Sequence, residues 1–153
     1  KKVDVKAVIK EKWNNLISHA KGNISAVEGA VSLIHQLKNA GFKLAVASAS
    51  KKEFIELVLL ELNITCYFDA ITSADEVKFG KPNPEIFLLA AEKLNVNPDC
   101  CIVIEDGKLG MTAAKRAGMK SIGLVNKENV DKEDYDADKI VKNLTELRLS
   151  DFK

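Results

Sequence analysis

Two adjacent carboxylates end an apolar run of this sequence, at a place where folding alone gives no reason for them. The run covers residues 101–104, Glu105 and Asp106 follow it, and glycines stand at positions 107 and 110. Carboxylates are rarely placed at the edge of a core unless they are paired or bound to a cation. Two hard oxygen donors at the end of a buried strand suit Mg²⁺. The pair therefore predicts a metal site, and a favourable placement of charge at a helix N-terminus is the alternative.

A hydroxyl and an ammonium group follow two earlier apolar runs. Ser48 ends the run 43–48, and Lys81 lies in the Gly-Lys-Pro-Asn-Pro-Glu-Ile-Phe segment at 80–87. The carboxyl ends of parallel strands meet at one edge of an open sheet, which is where such sheets bind ligands. A serine hydroxyl and the amides of a following helix can hold phosphate oxygens, and a lysine can neutralise a phosphoryl group. Together with the carboxylates, these side chains predict a site for phosphoryl chemistry.

Short apolar runs alternate with amphipathic helical patterns along the chain. Helical spacing is present at 5–20, 26–40, 51–62, 85–94 and 108–117. Asp4 and Ser25 are the predicted N-cap residues of the first two helices. Strand candidates are 43–48, 68–72, 101–104, 121–125 and 138–141, and a terminal helical turn is expected at 144–147. This alternation predicts an α/β protein with a doubly wound parallel sheet.

The composition limits the classes of function. The chain has 153 residues, enough for one domain with a sizeable core, and its net charge of +1 argues against nucleic acid or an anionic membrane surface as partner. No apolar run has the length of a membrane span, and an acidic surface loop is expected at 128–138. The three cysteines show no metal-ligand spacing, and their odd number argues against a disulfide framework. Reduced thiols and a cytoplasmic location are therefore expected.

With these motifs in place, the sequence resembles the haloacid dehalogenase superfamily, in its phosphatase and phosphoglucomutase-like branch. The resemblance runs from about residue 25 to about residue 124. The second family motif is matched by 45–51, the third by 80–87, and the fourth by 103–110 with 113–118. Three motifs in the family's order, each at the end of a predicted strand, are typical of its Rossmann-like core.

The resemblance implies phosphoryl transfer through an aspartyl-phosphate, with Mg²⁺ as the cofactor and a small phosphorylated metabolite as the substrate. By this similarity, Ser48 and Lys81 would bind the transferring phosphoryl group. Asp106, together with Glu105, would hold the metal ion.

The three residues after Ser48 are further candidates for substrate binding. Ala49 belongs to the segment that matches the second motif, and Ser50 and Lys51 could contact a second phosphate, as the phosphoglucomutase-like branch implies. An ordinary helix start is the alternative interpretation of these residues.

The family's first motif is missing from this sequence. That motif is an apolar strand ending in Asp-x-Asp-Gly, which supplies the nucleophile and the general acid/base. Asp4 is followed two residues later by Lys6, while the Asp-x-Asp spacings at 134–138 lack both a preceding apolar run and a following glycine. Residues 4–21 resemble the last part of the family's helical cap. We therefore predict a cap remnant at 1–22 and, at 23–153, a core that lacks its first, central strand.

The absence of a central strand has an energetic consequence. Four or five buried apolar side chains contribute on the order of 10 kcal/mol, at about 2 kcal/mol each, and the whole stability of a domain is roughly 5–15 kcal/mol. We therefore expect an upstream segment or a second chain to complete the sheet.

Three functions follow as hypotheses. The first is an enzyme whose nucleophilic aspartate comes from a segment outside this sequence. The alternative is a catalytically inactive module, a pseudoenzyme or truncated fragment, that binds phosphate and metal without turnover. A response-regulator receiver domain shares the sheet type, but its acid pair should precede the hydroxyl and the lysine, whereas Glu105 and Asp106 follow both.

Overall fold

The computed structural model describes residues 4–125 and 136–153. Its α-helices are α1 (Val5–Ala20), α2 (Ala30–Asn39), α3 (Lys52–Glu61), α4 (Glu85–Leu94) and α5 (Lys108–Arg116). Its strands are β1 (Ala45–Ala47), β2 (Ala70–Thr72), β3 (Ile102–Glu105), β4 (Lys120–Leu124) and β5 (Lys139–Val141). Short 3₁₀ turns lie at Thr65–Tyr67, Ala74–Glu76, Pro98–Cys100, Leu144–Glu146 and Leu149–Phe152. The α/β class with parallel strands is thus confirmed, and most of the predicted acidic loop 128–138 lies outside the described residues.

The predicted cap of the second helix was wrong. Ser25 is exposed and precedes an irregular segment, and α2 begins only at Ala30. Gly29 precedes the helix with a φ of +81°, and a Cβ there would lie 2.9 Å from Thr145. The start of α2 is therefore set by a close approach to a distant turn, which only glycine permits at this φ.

The parallel strands form two separate sheets. In one sheet β1 pairs with β2, with Ala45 opposite Ala70. In the other, β4 lies between β3 and β5, with Ile102 opposite Lys120 and Ile122 opposite Lys139. Within the described ranges, no strand pairs with both β1 and β3. The predicted parallel sheet is therefore present in two parts.

Two helices hold these parts together. On one face, Phe87 and Ala91 of α4 share a core cluster with Val103 of β3, and Ala47 of β1 packs against it. On the other face, buried leucines of α2 pack against the three-stranded sheet through Ile122 and Val141. The same helix contacts the two-stranded sheet through Val31 and Ile34. Since α2 and α4 each contact both sheets, the two parts form one layered core.

The N-terminal helix is attached to α3. The rings of Trp13 and Phe54 lie 6.2 Å apart. After the helix, the Gly22 N–H donates to both carboxylate oxygens of Glu61, at 2.8 and 2.9 Å. The predicted division into a cap remnant and a core stays a prediction. In the parts of the chain that the structure describes, no helix is long and apolar enough to cross a membrane.

Glu76 closes a hydrogen-bonded turn directly after β2. Its Oε1 atom accepts the Ser73 N–H at 2.9 Å, and its other oxygen pairs with the Lys93 ammonium. The hydrogen bond from Lys93, followed by the one from the Ser73 N–H, holds the pKa of Glu76 below its usual range. A carboxylate with a depressed pKa stabilises the fold above its unfolded-state pKa, and this contribution is lost as the pH falls.

Glu76→Gln is therefore expected to lower the melting temperature at about pH 7, with a smaller difference from the parent protein below about pH 4.3, the ordinary pKa of glutamate. Thermal unfolding of both proteins across this range measures the effect. Glu92→Gln, at an exposed position of α4, is the control and should show no such trend. An offset for Glu76→Gln that stays constant with pH would contradict this assignment.

Candidate phosphoryl-binding and metal-binding site

Lys81 and Glu105 form an ion pair at the end of β3. The Nζ atom of Lys81 lies 2.6 Å from Oε2 of Glu105, and each side chain is only 14% exposed. The same ammonium group lies 4.8 Å from the centre of the Phe87 ring, a cation–π distance. The structure thus brings the predicted lysine into contact with the first residue of the predicted acid pair.

Two side chains that sequence reasoning missed hold the loop that carries Lys81. The carboxylate of Glu85 accepts the N–H groups of Lys78 and Phe79, each at 3.1 Å. From α5, the Arg116 guanidinium donates to the Pro82 carbonyl at 3.1 Å. Glu85 lies within the motif at 80–87 and Arg116 within the matched segment 113–118, but neither motif indicates the contact that its residue makes.

The turn after β3 fixes the position of Glu105. The Gly107 N–H donates to Oε1 of Glu105 at 3.3 Å. A Cβ atom on Gly110 would lie 2.1 to 2.4 Å from three atoms of the Glu105 side chain. The first turn of α5 therefore passes so close to Glu105 that a side chain at position 110 would displace the Glu105 carboxylate.

Asp106 is exposed and directly follows Glu105, the last residue of β3. Across residues 4–125 and 136–153, no three histidine, cysteine or acidic side chains cluster closely enough to hold a metal ion. Mg²⁺ is commonly held by one or two carboxylates, with water and substrate phosphate completing its shell. Hard carboxylate oxygens from Glu105 and Asp106 fit that donor set.

Ser48 extends the ladder of β1 by one residue. Its N–H donates to the Thr72 carbonyl at 3.0 Å, and its Oγ atom accepts the Ser50 N–H at 3.1 Å. Helix α3 begins four residues after Ser48, and the Lys52 N–H donates to a carboxylate oxygen of Asp75 at 3.1 Å. An acidic side chain therefore already contacts the first turn of this helix.

Ser48 and the acid pair Glu105 and Asp106 lie at the same edge of the fold. Lys43, before β1, donates through Nζ to the Leu94 carbonyl at the end of α4. Lys81, before the start of α4, contacts Glu105 at the end of β3. These two contacts show that α4 runs antiparallel to both strands, so β1 and β3 run parallel to each other. Ser48 and Asp106 follow the carboxyl ends of these strands and therefore lie at one edge. The roles predicted for Ser48, Ala49, Ser50 and Lys51 stay predictions.

A cleft of about 340 Å³ separates β1 from β3. Its walls are mostly apolar side chains of α2, α4 and the strands, with two cysteines at the start of β3. The lining residues are Leu37, Gly41, Phe42, Lys43, Ala45, Phe87, Ala91, Leu94, Val96, Cys100, Cys101, Ile102, Ile104, Met119 and Phe152. The site just described lies at the carboxyl-terminal end of the two strands that border this cleft.

Comparison with known proteins gives one consistent family. The family model described as haloacid dehalogenase-like hydrolase matches residues 1–124. Validoxylamine A 7'-phosphate phosphatase of Streptomyces hygroscopicus subsp. limoneus is 38% identical over 122 residues, which cover 80% of this chain and 57% of that protein. Hexitol phosphatase B of Escherichia coli (strain K12) is 35% identical over 139 residues, 90% of this chain and 61% of that protein.

A solved structure agrees with these sequence matches. The crystal structure of a beta-phosphoglucomutase from Clostridium difficile superposes with a TM-score of 0.80 at 37% sequence identity. The match covers 97% of this chain and 66% of that one. The chain spans about half the length of the curated relatives it matches.

Proposed function

Because the chain belongs to the haloacid dehalogenase-like hydrolases, we propose that it forms the phosphate-binding and metal-binding part of a Mg²⁺-dependent phosphoryl-transfer enzyme. Its substrate would be a small phosphorylated metabolite of the sugar phosphate class, since the relatives include phosphatases named for phosphorylated sugars or hexitols. The observation that carries the proposal is the Lys81–Glu105 ion pair at the end of β3, where Asp106 is the next residue in sequence.

Lys81 and Ser48 would bind the transferring phosphoryl group. An ammonium group has three N–H donors, so Lys81 can bond to Glu105 and still donate to phosphoryl oxygens. The ion pair and the Phe87 ring hold this cation in one place. A positioned charge needs little reorganisation when negative charge develops on the phosphoryl group. Ser48 would donate its hydroxyl from the other side of the cleft.

Asp106, together with Glu105, would hold Mg²⁺. When bound, Mg²⁺ supplies positive charge that neutralises the phosphoryl oxygens. Glu105 has a second task, because it also orients Lys81. The sequence contains no Asp-x-Asp-Gly motif, so the nucleophilic aspartate would come from a segment outside it that completes the sheet between β1 and β3. The same missing motif favours the second candidate, a module that binds phosphate and metal without turnover.

Phosphate release distinguishes the two candidates. A form of the protein that includes the segment preceding Lys1 is expected to release phosphate from at least one of a panel of hexose and hexitol phosphates in the presence of Mg²⁺. EDTA should abolish the release and added Mg²⁺ should restore it. A colorimetric phosphate assay measures release, and conversion between sugar phosphate isomers measures mutase activity. Binding of Mg²⁺ and phosphate by calorimetry without turnover would favour the module, and the absence of both binding and turnover would contradict either function.

A further inference from the structure

Helix α5 contacts both members of the Lys81–Glu105 ion pair, one of them directly and the other through its loop. At the start of the helix, the Gly107 N–H donates to Oε1 of Glu105 at 3.3 Å. At its end, the last residue, Arg116, donates through Nη1 to the Pro82 carbonyl at 3.1 Å. Pro82 directly follows Lys81 in sequence. One helix therefore contributes to the position of both charges.

The loop on the amino-terminal side of Lys81 is held by hydrogen bonds rather than by apolar packing. Residues 78–80 are exposed, and Phe79 keeps 64% of its surface in contact with solvent. The carboxylate of Glu85 accepts the N–H groups of Lys78 and Phe79, each at 3.1 Å. Since little of this loop is buried, its position depends on the few polar contacts that it makes.

The Arg116 side chain supplies the contact on the other side of Lys81. Its guanidinium group is a charged donor, and hydrogen bonds from charged donors are stronger than those between neutral groups. Its acceptor is a main-chain carbonyl, so the bond fixes the backbone itself next to Lys81. The lysine thus lies between two held stretches of main chain, one bonded to Glu85 and the other to Arg116.

The residue before Arg116 offers a direct comparison. Lys115 is also a cation in the last turn of α5, where positive charge is favourable. Its ammonium group pairs with Asp136, and both side chains are about two-thirds exposed, at 66% and 67%. Lys115 and Arg116 therefore share charge and place in the helix, but the contact with the Pro82 carbonyl belongs to Arg116.

We propose that Arg116 is a positioning residue for Lys81, on which it acts through the Pro82 carbonyl. Held at this carbonyl, the loop keeps Nζ of Lys81 2.6 Å from Glu105, with further donors for an oxygen of a phosphoryl group. Without the bond, the loop spends more time in positions in which the ion pair is open. The phosphoryl ligand in this inference rests on the proposed function, whereas the effect on the ion pair does not.

Acylation by the N-hydroxysuccinimide ester of acetic acid measures how often Lys81 leaves the ion pair. Because the Lys81 side chain is only 14% exposed, its Nζ reacts mainly from open states of the pair. Arg116→Met keeps an unbranched side chain but removes the donors. It should speed acylation of Lys81 about tenfold, the scale of one hydrogen bond from a charged donor. Lys52, 58% exposed, should react at an unchanged rate. Mass spectrometry of peptides follows each lysine at one fixed pH.

Two controls separate this role from a change of charge and from a general loosening of the fold. Lys115→Met removes the same charge from the adjacent position and should leave acylation of Lys81 within about twofold of the parent. Glu105→Ala breaks the ion pair itself, so Arg116→Met should add little in that background. The inference is overturned by an unchanged Lys81 rate in Arg116→Met, by an equal rise in Lys115→Met, or by the same rise with and without Glu105.

Inorganic phosphate separates this inference from the proposed function. At millimolar concentration it should slow acylation of Lys81 in the parent protein. The half-protecting concentration should rise at least about twofold in Arg116→Met, because phosphate binds the state in which Lys81 is in place. Failure of phosphate to protect the parent contradicts the proposed phosphate site, while faster acylation in Arg116→Met would still support the positioning role. Protection of the parent with an unchanged Lys81 rate or an unchanged half-protecting concentration in Arg116→Met contradicts only this inference.

Discussion

In the form of the protein that includes the segment proposed to supply the nucleophile, Asp106→Asn is expected to lower kcat/KM for phosphate release by at least about 100-fold, the effect of removing one charge-stabilising group from an active site. Asparagine keeps the shape of the side chain but removes its negative charge, which a hard cation such as Mg²⁺ requires. The loss should therefore be accompanied by a higher Mg²⁺ concentration for half-maximal activity. Both quantities come from phosphate release measured over a Mg²⁺ titration.

The matched control is Asp99→Asn. Asp99 is exposed in the turn before β3 and lies at the opposite end of that strand from Asp106. Its substitution should leave both kcat/KM and the Mg²⁺ dependence within about twofold of the parent, as expected for a surface change away from the site. Unfolding curves of the two variants should coincide with the parent. Full activity in Asp106→Asn would remove this residue from the proposed metal site.

Gly110→Ala is expected to lower the free energy of unfolding by about 2 kcal/mol, the scale for inserting a methyl group into a filled space. The added Cβ would lie 2.1 Å from Cδ of Glu105, which is closer than any real contact. Glu105 would have to leave its position, and the ion pair with Lys81 would break. We therefore expect phosphate release to fall in the same variant. Denaturant unfolding and the phosphate assay measure the two effects.

Two further variants separate this clash from other effects of the substitution. Gly80→Ala is the tolerated control, because a Cβ there meets nothing within 4 Å. Glu105→Ala removes the atoms that Gly110→Ala would strike. In that background Gly110→Ala should be neutral or stabilising, since alanine is favoured over glycine in a helix by about 1 kcal/mol. Equal destabilisation in both backgrounds would show that Glu105 is not the cause.

The positions of the candidate site residues were predictable because these residues follow local signals. Ser48 and Glu105 each come at the end of an apolar run, and Lys81 precedes a proline-initiated helix. Strand ends and helix starts depend on neighbouring residues, so their positions were predicted to within a few residues. The residues that hold these groups in place had no such signal. Arg116 reaches the Pro82 carbonyl across 34 positions of sequence.

The positions of the glycines also have two kinds of cause, local sequence pattern and contact with distant residues. Gly22 ends α1 with a φ of +77°, and a helix stop at a glycine is a local pattern. Gly29 and Gly110 are required by atoms of Thr145 and Glu105 instead. The prediction that Ser25 caps α2 was wrong for this reason, because the start of that helix is determined by its contact with a turn more than 100 residues away.

By itself, the sequence determined the α/β class, the order of the elements and the set of groups suited to phosphoryl chemistry. Periodicity, turn residues and chemical type are properties of short segments. They can therefore be recognised without knowing which residues pack against each segment. Only the tertiary structure decided that Glu105 is the partner of Lys81 and that the opening in the sheet lies between β1 and β3. Both depend on which surfaces of α2 and α4 pack against two separate sheets, and that packing is a sum of contacts between residues far apart in the chain.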